Sequence, residues 1–409
     1  MPPKTQLLPL TGLRFFLALW VVIYHQTATE NYLGPLMARL PGSVFCVLRT
    51  GYVAVGVFFV LSGFVLSYSH SLATRFSSSQ LVSFAVARFA RIYPTYCFGL
   101  LLIAPFIAVD LLGRWSAAAA TKEVAKAILN WTLLQSWVPR AAFSWNAPGW
   151  SLSDEAFFYC CFPLVGIALW KLSRLRSILL VASVIWAAAL VAPLIAFIAP
   201  LRPFGIAPAI SAPWDANPFW ANFISCNPLL RLPEFCIGIL VCRFYHELRS
   251  RSSYLMGKGY WLYLPGVVLE GLVLSNANVL PLPFVQNGLL LPLHSLVILG
   301  FALGGGVFSR LLSTSPLVFL GNASYAMYIM HVPLFFWMNT VAMRLFGLKP
   351  AGLGWMLCYV VVVVCVSSVL FKVLEQPANR ILKMRLNPRP SRSPRKDTMD
   401  EEACSSPSG

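Results

Sequence analysis

Long apolar runs alternate with short polar connections along most of this 409-residue chain. A membrane-crossing helix needs about 20 predominantly apolar residues. On that measure candidate spans fall at 10–28, 44–68, 82–108, 153–170, 178–199, 229–246, 259–275, 288–308, 317–341 and 353–374. The pattern predicts an all-α fold, a polytopic integral membrane helical bundle of about ten transmembrane helices. Two connections are longer. Residues 109–152 predict a short helix over 122–138 and then a turn-rich NAPGW. Residues 200–228 are proline-rich and carry Trp214 and Trp220, which suits interfacial anchoring or a lid. Residues 1–380 read as one membrane domain, and 381–409 as a basic, Pro/Ser-rich disordered cytoplasmic tail. The start, with its single Lys4, carries no cleavable-signal pattern.

Several polar positions interrupt the apolar pattern. The first run carries Arg14 and, eleven positions later, His25. Titratable side chains are expensive in hydrocarbon, and spans that keep them usually use them. Eleven helical residues advance about 16 Å and turn through three turns plus roughly 20°. Both side chains therefore share a face, which points to a common polar cavity with His25 deep in the membrane. A snorkelling arginine beside a satisfied core histidine would give the same pattern. Used chemically, a neutral imidazole takes a proton from a hydroxyl and later returns it.

RFARIYP, residues 88–94, sets Arg88 and Arg91 one turn apart at the expected cytoplasmic mouth of the third span. That spacing either grips a phosphate or marks an ordinary cytoplasmic flank. In APGWSLSDEAFFY, Trp150 sits at the interface and Ser151 or Ser153 would cap the fourth span, with Asp154 and Glu155 in its first turn. The two carboxylates point about 100° apart, so at most one faces the cavity. Arg231 and Glu234 are three apart, as a structural ion pair or as part of a substrate site. Asn322, Ser324, Tyr325, Tyr328 and His331 recur at helical spacing, and Pro333 follows as a kink.

Hydrophobic residues make up 58% of the chain and charged residues 11%, with a net charge of +17. Soluble domains are about 25% charged. The basic residues cluster in short connections and in the tail. That distribution signals topology and anionic-lipid contact rather than nucleic-acid binding. It favours both termini in the cytoplasm and the plasma (inner) membrane as the location. The ten cysteines show no CxxC and no Cys/His ligand spacing, so neither a metal nor a disulfide framework is expected.

In order along the chain, these motifs resemble the membrane acyltransferase-3 family. The resemblance rests on Arg14 and His25, on GYVAVGVFFVLSGFVL, RFARIYP, GWSLSDEAFFY, RLPEFCIG and LGNASYAMYIMH, and on VLEQPANR with Glu375 and Pro377. It spans roughly residues 8–380. It implies an integral O-acyltransferase that moves an acyl group, often acetyl, from cytoplasmic acyl-CoA to a hydroxyl of a glycan, lipid-linked saccharide or small metabolite. Only the basic tail follows Arg380, which implies the form without a fused hydrolase-like domain and leaves room for a homo-oligomer or a separate transfer partner. The implied catalytic residues are His25 as general base, Arg14 as donor-orienting or oxyanion-steadying group, and Glu155 as the group orienting an imidazole or an arginine. Arg88, Arg91 and Tyr93 would bind the donor. Trp150, Ser151, Arg231, Glu234, Tyr325 and His331 would line the acceptor site. A transporter or acyl exporter using the same Arg, His and Glu as a relay is the competing reading. The chain shows no inverted repeat to favour it.

Overall fold

The computed structural model describes residues 7–28, 31–70, 72, 76–113, 115–198 and 218–386. Among them the regular structure is helical, with no strand. In chain order the helices are α1 Leu8–His25, α2 Gly34–Met37, α3 Gly42–Arg49, α4 Val53–Ser69, α5 Ser78–Gly113, α6 Ala117–Trp131, α7 Trp150–Trp170, α8 Leu175–Ala189 and α9 Val191–Ile198. They continue as α10 Pro218–Cys226, α11 Pro228–Arg251, α12 Tyr260–Ser275, α13 Leu282–Gln286, α14 Leu291–Leu303, α15 Gly306–Leu312, α16 Ser315–Phe346, α17 Leu353–Leu370 and α18 Gln376–Leu386.

Eight helical segments among the described residues are long and apolar enough to cross a membrane, and nine if α3 and α4, bent by 49°, form one broken span. The tenth expected span is α12, an apolar helix of 16 residues. At 1.5 Å per residue it is about 24 Å long, shorter than a hydrocarbon core of about 30 Å. The short helix expected at 122–138 forms earlier, as α6, because Ser116 accepts a hydrogen bond from the amide of Ala119 (3.1 Å) and caps its start. Trp214 and the segment 387–409 lie outside the described residues.

Burial separates central helices from peripheral ones. Within their most apolar 18 residues, Phe219–Arg251 buries 78%, Leu282–Leu303 67% and Ser315–Phe346 61%, against 17% for Leu175–Ile198. Helices α11, α14 and α16 are therefore the most buried, and α11 and α16 each gather a ring of neighbours. Around α11 pack α4, α7, α8 and α14; around α16 pack α1, α5 and α17. The halves meet where α1 touches α4 and α14 and where α5 touches α7.

The α4–α11 contact is backbone on backbone. A Cβ on Gly63 would collide with the carbonyl of Phe235, and one on Gly238 with that of Val60. Lipid tails are as apolar as leucine, so helices in a bilayer gain from such close packing rather than from hydrophobic burial. Outward positions such as Leu164 (78% exposed) and Val109 (71%) supply an apolar surface.

Two irregular features shape the interior. Between α17 and α18, residues Phe371–Glu375 form one π-helical turn, and Glu375 ends it buried. Such turns re-aim side chains and recur at functional sites. Between α6 and α7, Leu133 (φ 57°) and Trp145 (φ 60°) occupy the left-handed region. Each conformation costs on the order of 1–3 kcal/mol and persists only where neighbours over-determine it. Here the Ser153 hydroxyl donates to Leu133 O (2.6 Å), and Asn146 Nδ2 donates to Ile329 O (3.0 Å). These bonds hold the turn that delivers Trp150 and Ser151 to the bundle interior.

Candidate active site

Two cavities of different chemistry lie inside the bundle. The first, about 90 Å³, is lined by Arg14 of α1, Ser62 of α4, Arg88 and Arg91 of α5, Glu155 and Tyr159 of α7, and Tyr325 of α16. Three guanidinium groups thus face one carboxylate on its wall. Glu155 Oε1 accepts hydrogen bonds from the Ser62 hydroxyl (3.0 Å) and the Tyr159 hydroxyl (2.5 Å). The Tyr325 hydroxyl donates to Ile92 O (2.5 Å), locking α16 to α5 beside the arginines. Glu375, turned inward by the π-helical turn, lies within electrostatic reach of Arg14 and Arg91. The Nε atoms of Arg14 and Arg88 are buried without a hydrogen-bond partner. Unsatisfied guanidinium nitrogens in a net-positive pocket are suited to receive an anionic or carbonyl oxygen.

The second cavity, about 240 Å³, is lined by His25 and Gln26, by Tyr24, Tyr52, Trp150 and Phe335, and by Arg231, Gln286, His331 and Tyr359. Its two imidazoles stand 4.7 Å apart, centroid to centroid. His25 Nδ1 lies 2.9 Å from Val21 O and His331 Nδ1 lies 2.7 Å from Tyr328 O. A carbonyl only accepts, so in each ring Nδ1 carries the hydrogen and Nε2 of the neutral imidazole keeps its lone pair. His331 is fully buried and its Nε2 has no partner. Two imidazoles are thus held in the tautomer that accepts a proton, within a pocket walled by aromatic rings.

The cavities share Val55 and Tyr328. The Tyr328 hydroxyl hydrogen-bonds that of Ser151 (2.9 Å). Ser151 borders the first cavity and its neighbour Trp150 the second. A one-residue-thick wall with two hydroxyl groups therefore separates the arginines from the imidazoles.

A buried polar network flanks this wall. Arg231 pairs with Glu234 (3.1 Å), donates to Asn287 Oδ1 (3.0 Å) and to Gln286 O, and lies 5.7 Å from the Trp150 ring. His294 pairs with Glu270 (3.3 Å). A Cβ on Gly56 would sit 3.3 Å from both Glu234 and His294, so the helix carrying Gly56 approaches them closely. Asp154, fully buried, has neither carboxylate oxygen hydrogen-bonded.

The structure places the expected residues as follows. Arg14 and His25 share a face but not a cavity, because their separation along α1 carries them past the Tyr328–Val55 wall. His25 is the last residue of α1. Arg88 and Arg91 lie ten and thirteen residues into the 36-residue α5, about 15–20 Å from its start. Tyr93 does not line either cavity; its hydroxyl donates to Trp131 O (3.0 Å) and ties α5 to the end of α6. Glu155 sits among arginines and not beside the imidazole, whose Nδ1 is held by Val21 O. The start of α7 has no side-chain cap, since Ser151 and Ser153 bond elsewhere.

Of the residues expected at the acceptor site, Trp150, Arg231 and His331 line the second cavity, Ser151 and Tyr325 the first, and Glu234 neither. Sequence reasoning missed roles for Ser62, Tyr159, Tyr328 and Glu375. The signal for Tyr328 was its position one turn before His331 on one helix face; Ser62 and Tyr159 carried none.

Comparison with known proteins follows the same line. The profile of the acyltransferase domain family matches residues 9–372. Acyltransferase MdmB of Streptomyces mycarofaciens is 29% identical over 403 residues, covering 94% of this chain and 95% of its own length. Protein 2 in the picA locus of Rhizobium radiobacter is 37% identical over 113 residues, which is 27% of this chain and 51% of that protein. No solved structure matches.

Proposed function

The chain belongs to the membrane acyltransferase-3 family, and on that premise we propose that it is an O-acyltransferase that moves an acetyl group from cytoplasmic acetyl-CoA to a hydroxyl of a glycan, lipid-linked saccharide or small metabolite. The observation that carries this reading is the meeting of two chemically opposite cavities at Tyr328. The arginine-lined cavity takes the reacting end of the donor. At about 90 Å³ it is the smaller of the two cavities, which suits acetyl better than a long acyl chain. The aromatic cavity takes the acceptor, and its ring faces suit the C–H faces of a sugar or similar alcohol.

In the reaction the acceptor O–H gives its proton to Nε2 of His25 as the oxygen attacks the thioester carbonyl carbon. Charge develops on the carbonyl oxygen, where Arg14 and the hydroxyl groups of the wall stabilise it. The C–S bond then breaks, and coenzyme A leaves as a thiolate that recovers the proton from His25. His331, whose ring lies against that of His25, positions the acceptor hydroxyl. Glu155, held by Ser62 and Tyr159, orients the arginines. The end of the bundle at which α1 begins faces the cytoplasm, with both termini on that side and the protein in the plasma membrane.

The test is acetyl transfer by purified protein in nanodiscs, with labelled acetyl-CoA and a panel of sugar and alcohol acceptors. His25→Ala should lower turnover by 10²–10⁴-fold, with the protein still inserted and monodisperse. Full activity in that variant would sink the assignment of the base. Accumulation of label inside sealed vesicles without acylated product would favour the exporter reading.

A further inference from the structure

A third cavity lies away from the proposed transfer site, on the outer side of α11. It is a groove of about 750 Å³ bounded by α8, α11, α12 and α14. Its walls are leucine, isoleucine, valine and aromatic side chains, including Leu240, Phe244, Trp261 and Leu296. The Ser295 hydroxyl on its wall is already satisfied by Leu291 O (2.7 Å). Nothing along the groove asks for a polar ligand.

The two ends differ. At one end Trp186 donates to Gly288 O (2.8 Å), closing the groove where α14 begins. At the other, Gly257 N donates to Leu303 O (2.9 Å), and Lys258 lies over the Tyr254 ring, 3.0 Å from its centroid. Two more cations flank this end by helical register. Arg176 is one turn before the lining residue Leu179, and Arg251 is one turn after Leu248; both are exposed. The acidic residue near them on α11, Glu247, pairs with Arg243 (2.6 Å) and with Arg251 (3.4 Å), so Lys258 and Arg176 are the cations that remain for a phosphate. Between its ends the groove follows α14 from Leu291 to Leu303, about 18 Å. That length matches roughly one leaflet of a 30 Å hydrocarbon core.

We infer that this groove is a specific site for an anionic glycerophospholipid, with one acyl chain lying along α8, α11 and α14 and the phosphate at Lys258. The inference rests on apolar length joined to cationic charge at one end only, and it does not depend on the acyl-transfer reading. A neutral tail alone would leave Lys258 and Arg176 without an anionic partner. A free phosphate would leave the apolar groove unfilled.

The full chain is purified in detergent, incubated with equal phosphatidylglycerol and phosphatidylcholine of the same chain length, and examined by native mass spectrometry. Wild type should retain phosphatidylglycerol preferentially. Each neutralised cation, Lys258→Gln or Arg176→Gln, should lower that preference by about fivefold. Ala182→Trp, which fills the groove from α8, should abolish retention of both lipids; Ser295→Trp from α14 serves if the first variant does not fold. Thermal unfolding without added lipid confirms that each variant is folded. Equal retention of the two lipids by wild type, or wild-type retention in a folded groove-filling variant, would overturn the site. Acetyl-transfer activity of the same samples reads separately on the proposed function.

Discussion

At the residue scale the decisive groups are those left with an open valence. The Nε atoms of Arg14 and Arg88 and the Nε2 of His331 are buried without partners. Burying an unpaired polar group costs about 1–3 kcal/mol, and the residues carrying these three line the two cavities. Replacing Arg88 by Lys keeps the charge but replaces a planar fork with a point charge. The Michaelis constant for acetyl-CoA should rise about tenfold, the value of one charge-assisted hydrogen bond, with turnover nearly unchanged in steady-state kinetics. Tyr328→Phe removes one hydroxyl from the wall between the cavities. Losing its bond to Ser151 should cost about 1 kcal/mol of stability. Turnover should fall by 10-fold or more with donor affinity retained; a parallel loss of donor affinity would place the hydroxyl in donor binding instead.

At the scale of elements, glycines set how closely the helices approach and hence where the cavities lie. The α4–α11 contact allows no side chain at Gly63 or Gly238. Gly63→Leu should therefore wedge the two helices apart and yield aggregated protein on size-exclusion chromatography. Gly113→Leu, at the end of α5 with nothing within 4 Å of its would-be Cβ, should remain monodisperse. The π-helical turn works in the opposite sense. It packs on α5 and α16 and rotates Glu375 inward toward the arginines. Apolar periodicity located these helices to within a few residues. It did not locate the π turn, because one turn of altered hydrogen bonding leaves the hydrophobic pattern intact.

At the scale of the whole molecule the site is polarised along the bundle axis, with arginines toward the end where α1 begins and imidazoles where it ends. If that first end is cytoplasmic, as the basic connections favour, donor and acceptor approach from opposite faces. Proteoliposomes sorted by orientation should accept acetyl-CoA only from the face at which α1 begins. Activity with donor supplied solely to the other face would reverse the topology.

The sequence by itself determined the class of fold and the approximate position of the spans, and it flagged the polar residues inside them. These follow from hydropathy and from the cost of polar groups in hydrocarbon, both of which are local properties. It also placed Arg14 and His25 on one face, since helical geometry fixes that. Only the tertiary structure decided that they serve different cavities, that Glu155 keeps company with arginines, that Tyr93 is a tether, and that Tyr328 and Ser151 form the wall. Those outcomes depend on which helices lie side by side and at what height, and the glycine contacts and buried hydrogen bonds that fix this join residues far apart in the chain.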